Sequence, residues 1–213
     1  LPESFDWRNF QGKNYDTPIK NQGSCGSCWA FAAISAMEGT IKTYYNDPDM
    51  NIDLSEQDLV SCCEKCSGGD GCAGGSPFFA LEHIRDNKIA IESDFEYNAS
   101  NLPCTSKSSG WEEEGWLIES LSEVERENIN TIKKALIEKG PLLTGFFVYS
   151  DFYSYSSGIY EQTSDEYRGA HAVTIVGYGK NRGRDYWIAK NSWGKYWGED
   201  GYFRIKYKEC EIH

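Results

Sequence analysis

No run of about eighteen consecutive apolar residues occurs in the chain, so no segment has the length and character of a membrane-spanning helix. Basic residues are scarce relative to acidic ones: 21 Lys and Arg against 33 Asp and Glu give a formal charge of -12. That balance argues against the clustered positive charge needed to grip nucleic acid, and the acidity reads as a solvated surface. There is no fixed-period repeat, Pro-rich linker or low-complexity tract, which excludes solenoid and tethered-module architectures. Histidine is limited to His83, His171 and His213, so chemistry that needs an imidazole has few choices. The opening Leu1-Pro2-Glu3-Ser4-Phe5-Asp6-Trp7-Arg8 has no initiator Met, charged n-region or apolar h-region, and reads as a processed form lacking any signal or pro-segment.

Cysteine, by contrast, is abundant. Eight cysteines in 213 residues fit an oxidising environment, secreted or lysosome/vacuole-like, better than a reducing cytosol. An apolar content of 39%, with 15% aromatic, is ample for a packed core.

Trp29, Ala33, Ala36, Met37, Ile41 and Tyr44 recur at three- and four-residue intervals and mark the buried face of a helix beginning at Cys28, with Ser27 as its N-cap. A second helix is signalled over residues 54–60, with Ser55 as cap and Asp58 three residues later. Residues 62–75, rich in Cys and Gly, read as cross-linked loop, and residues 77–87 as a short helix. Residues 125–139 carry helical spacing through Ile129, Ile132, Leu136 and Ile137, stopped by Gly140-Pro141. The β-branched and aromatic segments 142–149, 172–178, 185–190 and 201–206 read as strands. The polar, glycine-containing segment 179–184 reads as a surface extension. Helices first and strands later make an α+β pattern, with the two halves packed face to face around a cleft.

The chemistry concentrates around Gln22-Gly23-Ser24-Cys25-Gly26-Ser27-Cys28-Trp29. A cysteine in the first turn of a helix sits near the positive end of the helix dipole, which favours the thiolate. Two cysteines at this spacing also serve redox and metal chemistry. A thioredoxin-like Cys25/Cys28 pair would follow a buried strand, whereas residues 17–24 are polar, and a zinc site could be drawn from Cys62, Cys63, Cys66 and Cys72. His171 opens an apolar strand, where a polar side chain faces a cleft, while His83 and His213 have no functional context. Asn191 follows a strand and can orient an imidazole, with Trp193 covering the bond from water.

Gln22, Cys28 within Cys25-Gly26-Ser27-Cys28-Trp29, His171 and Asn191 stand in the order of the papain family of cysteine proteases, which the chain resembles from Leu1-Pro2 and Asp6-Trp7-Arg8 to Cys210. The resemblance implies a two-lobed α+β fold. A helical lobe of residues 11–112 would carry the nucleophile, and a β-barrel-like lobe of residues 1–10 and 113–213 would carry the His and Asn. It implies Cys28 as nucleophile, His171 as its acid–base partner, Asn191 as orienting group and Trp193 as shield. Gln22 and the backbone N–H of Cys28 would form the oxyanion hole. Gly74 and Gly75 would pair with substrate backbone, and Pro77, Gly145, Ala170 and Ala172 would line the substrate site, with an apolar side chain as guest at the second residue before the scissile bond.

The Cys62-Cys63-Glu64-Lys65-Cys66 segment resembles the cathepsin B branch, which implies the pairs Cys25–Cys72, Cys62–Cys104 and Cys63–Cys66 and leaves Cys210 free. No counterpart of that branch's occluding loop lies between Cys72 and Cys104, so endopeptidase action is expected. The chain stops at His213, where family members usually continue into the floor of the specificity pocket. No cofactor or metal is implied. The expected partners are polypeptide substrates and an inhibitory pro-segment removed on maturation, with a monomer as the expected state. The rival function is a catalytically silent papain-like binding protein. Asn98-Ala99-Ser100 is a glycan-acceptor pattern.

Overall fold

Apolar side chains gather into two clusters in the computed structural model, which describes residues 1–212; His213 lies outside the described residues. The first cluster is helical. It forms around α1 (Cys28–Tyr44), α2 (Glu56–Cys62), α3 (Glu64–Ser67) and α4 (Pro77–Asp86), with Trp29, Ile34, Leu54, Leu59, Ile84 and Ile89 at its centre. The second joins α5 (Ile129–Lys139) to a six-stranded sheet of β1 (Phe5–Asp6), β2 (Leu142–Tyr149), β3 (Ile159–Tyr160), β4 (Tyr167–Asn181), β5 (Arg184–Lys190) and β6 (Tyr202–Lys206). Tyr15 packs in the second cluster and Trp116 and Ile118 against the first, so contacts cross the boundaries expected at residues 11 and 112.

The long helix α1 is buried nearly all round because it runs between the other helices and β4; Thr174 Oγ1 donates to Ala32 O at 3.1 Å. The apolar stripe read from the sequence is buried as far as Ile41, but Tyr44 is 81% exposed in the last turn of α1. Glu38, on the same helix, is buried because its carboxylate accepts from Thr17 Oγ1 at 2.7 Å and Leu54 N at 2.8 Å. Ser27 occupies the N-cap position without capping. Its hydroxyl is 2.6 Å from Tyr97 Oη, which itself donates to Gln22 O, so Ser27 is the donor of that pair and has no free proton elsewhere.

Ser55 does cap α2, accepting from Asp58 N at 3.0 Å, and Ser76 caps α4 by accepting from Phe79 N at 3.3 Å. The segment expected to be loop between Cys62 and Gly75 contains the four-residue α3, closed by Gly68 in the left-handed region at φ 69°. The helix expected over residues 125–139 begins only at Ile129, because Asn128 Oδ1 accepts from the N–H groups of Asn130 and Thr131 and so starts it there.

Strand β4 organises the sheet. Its first part pairs antiparallel with β2 and its second with β5 and β1, while β3 lies parallel to β6 at the far edge. The segment 179–184 is therefore ladder for most of its length. Gly179, Lys180 and Asn181 pair with Tyr186, Asp185 and Arg184, and only Arg182 and Gly183, both at positive φ, form the tip of a two-residue hairpin. That hairpin returns the chain so that His171 and Asn191 meet.

Candidate active site

Cys28 is the first residue of α1, and its half-buried sulfur receives backbone N–H groups from Ala172 and Trp29 and its own N–H. Burial pushes the Cys28 thiol up, and these N–H groups pull it down; burial prevails, so the thiol lies above its ordinary range. The dipole argument from sequence identifies the stabilising side of this balance and misses the desolvation.

His171 lies on β4 beside Ala172, only 7% exposed. Its Nε2 is 2.7 Å from Asn191 Oδ1, and that same oxygen accepts from Ser192 N at 2.8 Å. An atom that accepts a backbone N–H must be the amide oxygen, so His171 Nε2 is the protonated nitrogen and Nδ1 carries the lone pair. Burial lowers His171 to about 4, opposed by the bond to Asn191, which favours the protonated ring. The Trp193 indole lies over this pair, its centroid 4.9 Å from that of His171, and Tyr153 stacks on Trp193 at 5.4 Å.

Gln22 is held at both ends of its amide. Nε2 donates to Cys25 O at 2.9 Å, Oε1 accepts from Ser192 Oγ at 2.6 Å, and one Nε2 hydrogen is left over. The backbone of Gln22 is fixed as well, with its N–H on Ser192 O and its carbonyl on Tyr97 Oη. Ser192 and Tyr97 are site residues that the sequence reading missed. Ser192 adjoins Asn191, the one signal that could have found it, but nothing local shows that its hydroxyl turns to Gln22.

Of the residues expected to meet substrate, Gly145 and Ala172 stand opposite one another on the β2–β4 ladder, as do Phe147 and Ala170. Gly74, Gly75 and Pro77 lie together on the helical side, after Cys72. Gly75 is required by packing in its own right, since a Cβ there would come within 2.5 Å of the Trp29 indole.

The sulfurs pair as Cys25–Cys72, Cys62–Cys104 and Cys63–Cys66, leaving Cys28 and Cys210 as thiols. The four cysteines of the zinc alternative are thus all in S–S bonds, and Cys25 is bonded away from Cys28, which the redox alternative would not allow. Burial, with Glu209 and Asp151 nearby, pushes Cys210 up to about 12, so it is no thiolate at neutral pH. His83 sits on α4, its Nδ1 3.4 Å from Asn87 Nδ2.

A β-rich cluster carrying His171 and Asn191, set against a helix that begins with a free cysteine, defines a two-part α+β architecture of the papain-like kind. Consistent with it, the family model described as Papain family cysteine protease matches residues 1–213, and the chain belongs to that family. A cathepsin L-like proteinase of Fasciola hepatica is 39% identical over 213 residues, covering 96% of this chain and 60% of the relative. Among solved structures, digestive procathepsin L2 from Tenebrio molitor larval midgut is 33% identical with a TM-score of 0.81, covering 100% of this chain and 66% of that one. Bromelain from Ananas comosus in complex with the E64 inhibitor is 35% identical with a TM-score of 0.82, covering 99% of this chain and 92% of that one. The chain spans about 60% of the length of the curated relatives it matches. Both cathepsin relatives named here carry cathepsin L names, whereas the Cys62-Cys63 segment had pointed to the cathepsin B branch.

Proposed function

We propose that this chain is a cysteine endopeptidase acting through Cys28, His171 and Asn191. The observation that carries the reading is the double acceptance at Asn191 Oδ1, which leaves the His171 Nδ1 lone pair as the base for a thiol beside Ala172. The Cys28 proton passes to His171 Nδ1, and the sulfur attacks the peptide carbonyl carbon. The resulting oxyanion takes the free Nε2 hydrogen of Gln22 and the N–H of Cys28, each such donor contributing about 2.7–4 kcal/mol to lowering the barrier. The C–N bond breaks, the leaving amine collects the proton from the imidazolium, and water hydrolyses the thioester. Burial of both partners disfavours separate charges even with the N–H groups at the start of α1 on the sulfur, so proton transfer is supported as substrate binds and the sulfur attacks.

Gly145 and Ala172, small and facing across one ladder, support an apolar guest at the second residue before the scissile bond. The extra third of the Tenebrio procathepsin chain supports an inhibitory pro-segment as partner, and the cathepsin relatives support a secreted or lysosome-like setting. The Cys63–Cys66 link supports the cathepsin B-like reading and the relatives' names the cathepsin L-like one; we favour the latter, because it rests on nearly the whole chain. Cys28→Ala should abolish peptide cleavage, and E64, seen bound in the bromelain structure, should add one equivalent to Cys28. Cleavage retained in the Cys28→Ala protein would refute the mechanism.

A further inference from the structure

The seam between the two clusters opens into a second cavity, of about 610 Å³, that contains none of Gln22, Cys28, His171, Asn191 or Trp193. Its walls come from residues 12–19, from Lys42 at the end of α1, from residues 48–52, and from Tyr202 on β6.

Lys42 is the unusual member. It is 7% exposed, its Nζ has one hydrogen bond, to Asp16 O at 3.2 Å, and it forms no ion pair among the described residues. An ammonium carries three N–H donors, and leaving donors of a buried cation unmet is costly. The carboxylate of Asp16 is no remedy: Oδ1 accepts from Lys190 Nζ at 3.0 Å and Thr17 N at 2.8 Å, and Oδ2 from Tyr202 Oη at 2.6 Å. Beside Lys42 the cavity is apolar, through Ile52 and Met50, and its rim bears one exposed cation, Lys13, and one exposed carboxylate, Asp49.

We propose that this cavity binds an amphipathic organic anion, with a singly charged carboxylate or sulfonate on Lys42 Nζ and an apolar body against Ile52 and Met50. A single charge is specified because Lys42 is the buried cation of the lining, while the exposed Lys13 and Asp49 at the rim offset one another. The ligand would bridge both clusters, with Lys42 joined through Asp16 by two hydrogen bonds to Lys190, the residue before Asn191.

The test titrates 8-anilinonaphthalene-1-sulfonate against the full chain whose Cys28 has first been alkylated by E64, which occupies the catalytic site. One saturable site is expected, with the same affinity before and after alkylation, weakened about tenfold or more by Lys42→Met, since a hydrogen bond to a charged group is lost. Uncharged N-phenyl-1-naphthylamine should bind at least tenfold more weakly than the sulfonate. Should circular dichroism show Lys42→Met unfolded, Met50→Trp, which fills the cavity without removing the cation, replaces it and should weaken binding to the same degree. Absence of binding, unchanged affinity in the folded variant, loss of binding on alkylation, or equal affinity for the uncharged probe would each overturn the proposal.

Discussion

Ser192 Oγ donates to Gln22 Oε1 at 2.6 Å across 170 positions of sequence, and this bond fixes which way the Gln22 amide faces. With the oxygen turned to Ser192 and one Nε2 hydrogen on Cys25 O, the second Nε2 hydrogen is the donor left for a substrate.

Ser192→Ala should therefore lower kcat about tenfold while changing KM little, because an oriented donor acts on the transition state more than on bound substrate. Steady-state kinetics on a fluorogenic peptide check it. An equal rise in KM with unchanged kcat would show that Gln22 only binds.

Asn191→Ala removes the acceptor that selects the Nε2–H tautomer of His171. A loss in kcat of about a hundredfold is expected, within the usual range for a general acid–base group. The rate of Cys28 alkylation by iodoacetamide should also change its pH profile, a readout that a purely structural role would leave in place.

His171 titrates at about 4 in the folded chain, below the ordinary value of 6.5. The unfolded chain therefore holds the extra proton between those two values, and stability falls as pH drops from 6.5 to 4. The contribution is on the order of 3 kcal/mol. Thermal melts of the E64-free protein across this window should show the decline, and His171→Gln should flatten it.

Glu56 titrates in the opposite sense. Burial and the neighbouring Glu38 raise it to about 8 against the pull of Lys20, so the folded chain holds a proton that the unfolded chain lacks. Stability from this group is fully present below 4.5 and is lost as pH rises through 8. Glu56→Gln should flatten the fall in melting temperature between pH 4.5 and 8; an unaltered slope across that window would assign it elsewhere.

Gly75→Ala forces a methyl against the Trp29 indole, which itself donates to Gly71 O at 3.1 Å. Overpacking of this kind costs about 1–3 kcal/mol. A matched drop in the denaturation midpoint is expected, whether or not substrate is present, which separates packing from substrate pairing.

The strands at 142–149 and 185–190 were legible because β-branched and aromatic residues leave little alternative in so apolar a run. Ser55 was equally readable, since a cap and the N–H that it satisfies lie three residues apart. Ser27 shows the limit. Its sequence position is that of a cap, yet its hydroxyl goes to Tyr97, a residue no local pattern connects to it. The 179–184 segment shows another, because polarity marks solvent exposure and cannot distinguish a loose loop from an exposed hairpin rung.

By itself the sequence determined which residue types were available for the chemistry: a cysteine at a helix start, a histidine opening an apolar strand, and an asparagine after the next strand. Order along the chain and local spacing suffice for that, because helix termini and strand ends are short-range features. The tertiary structure alone decided the rest. Burial sets both Cys28 and His171 against ionisation, Ser192 holds Gln22, and Lys42 is buried without an ionic partner among the described residues. Each of these depends on desolvation or on a hydrogen bond between distant residues, and neither quantity is carried by neighbours in sequence.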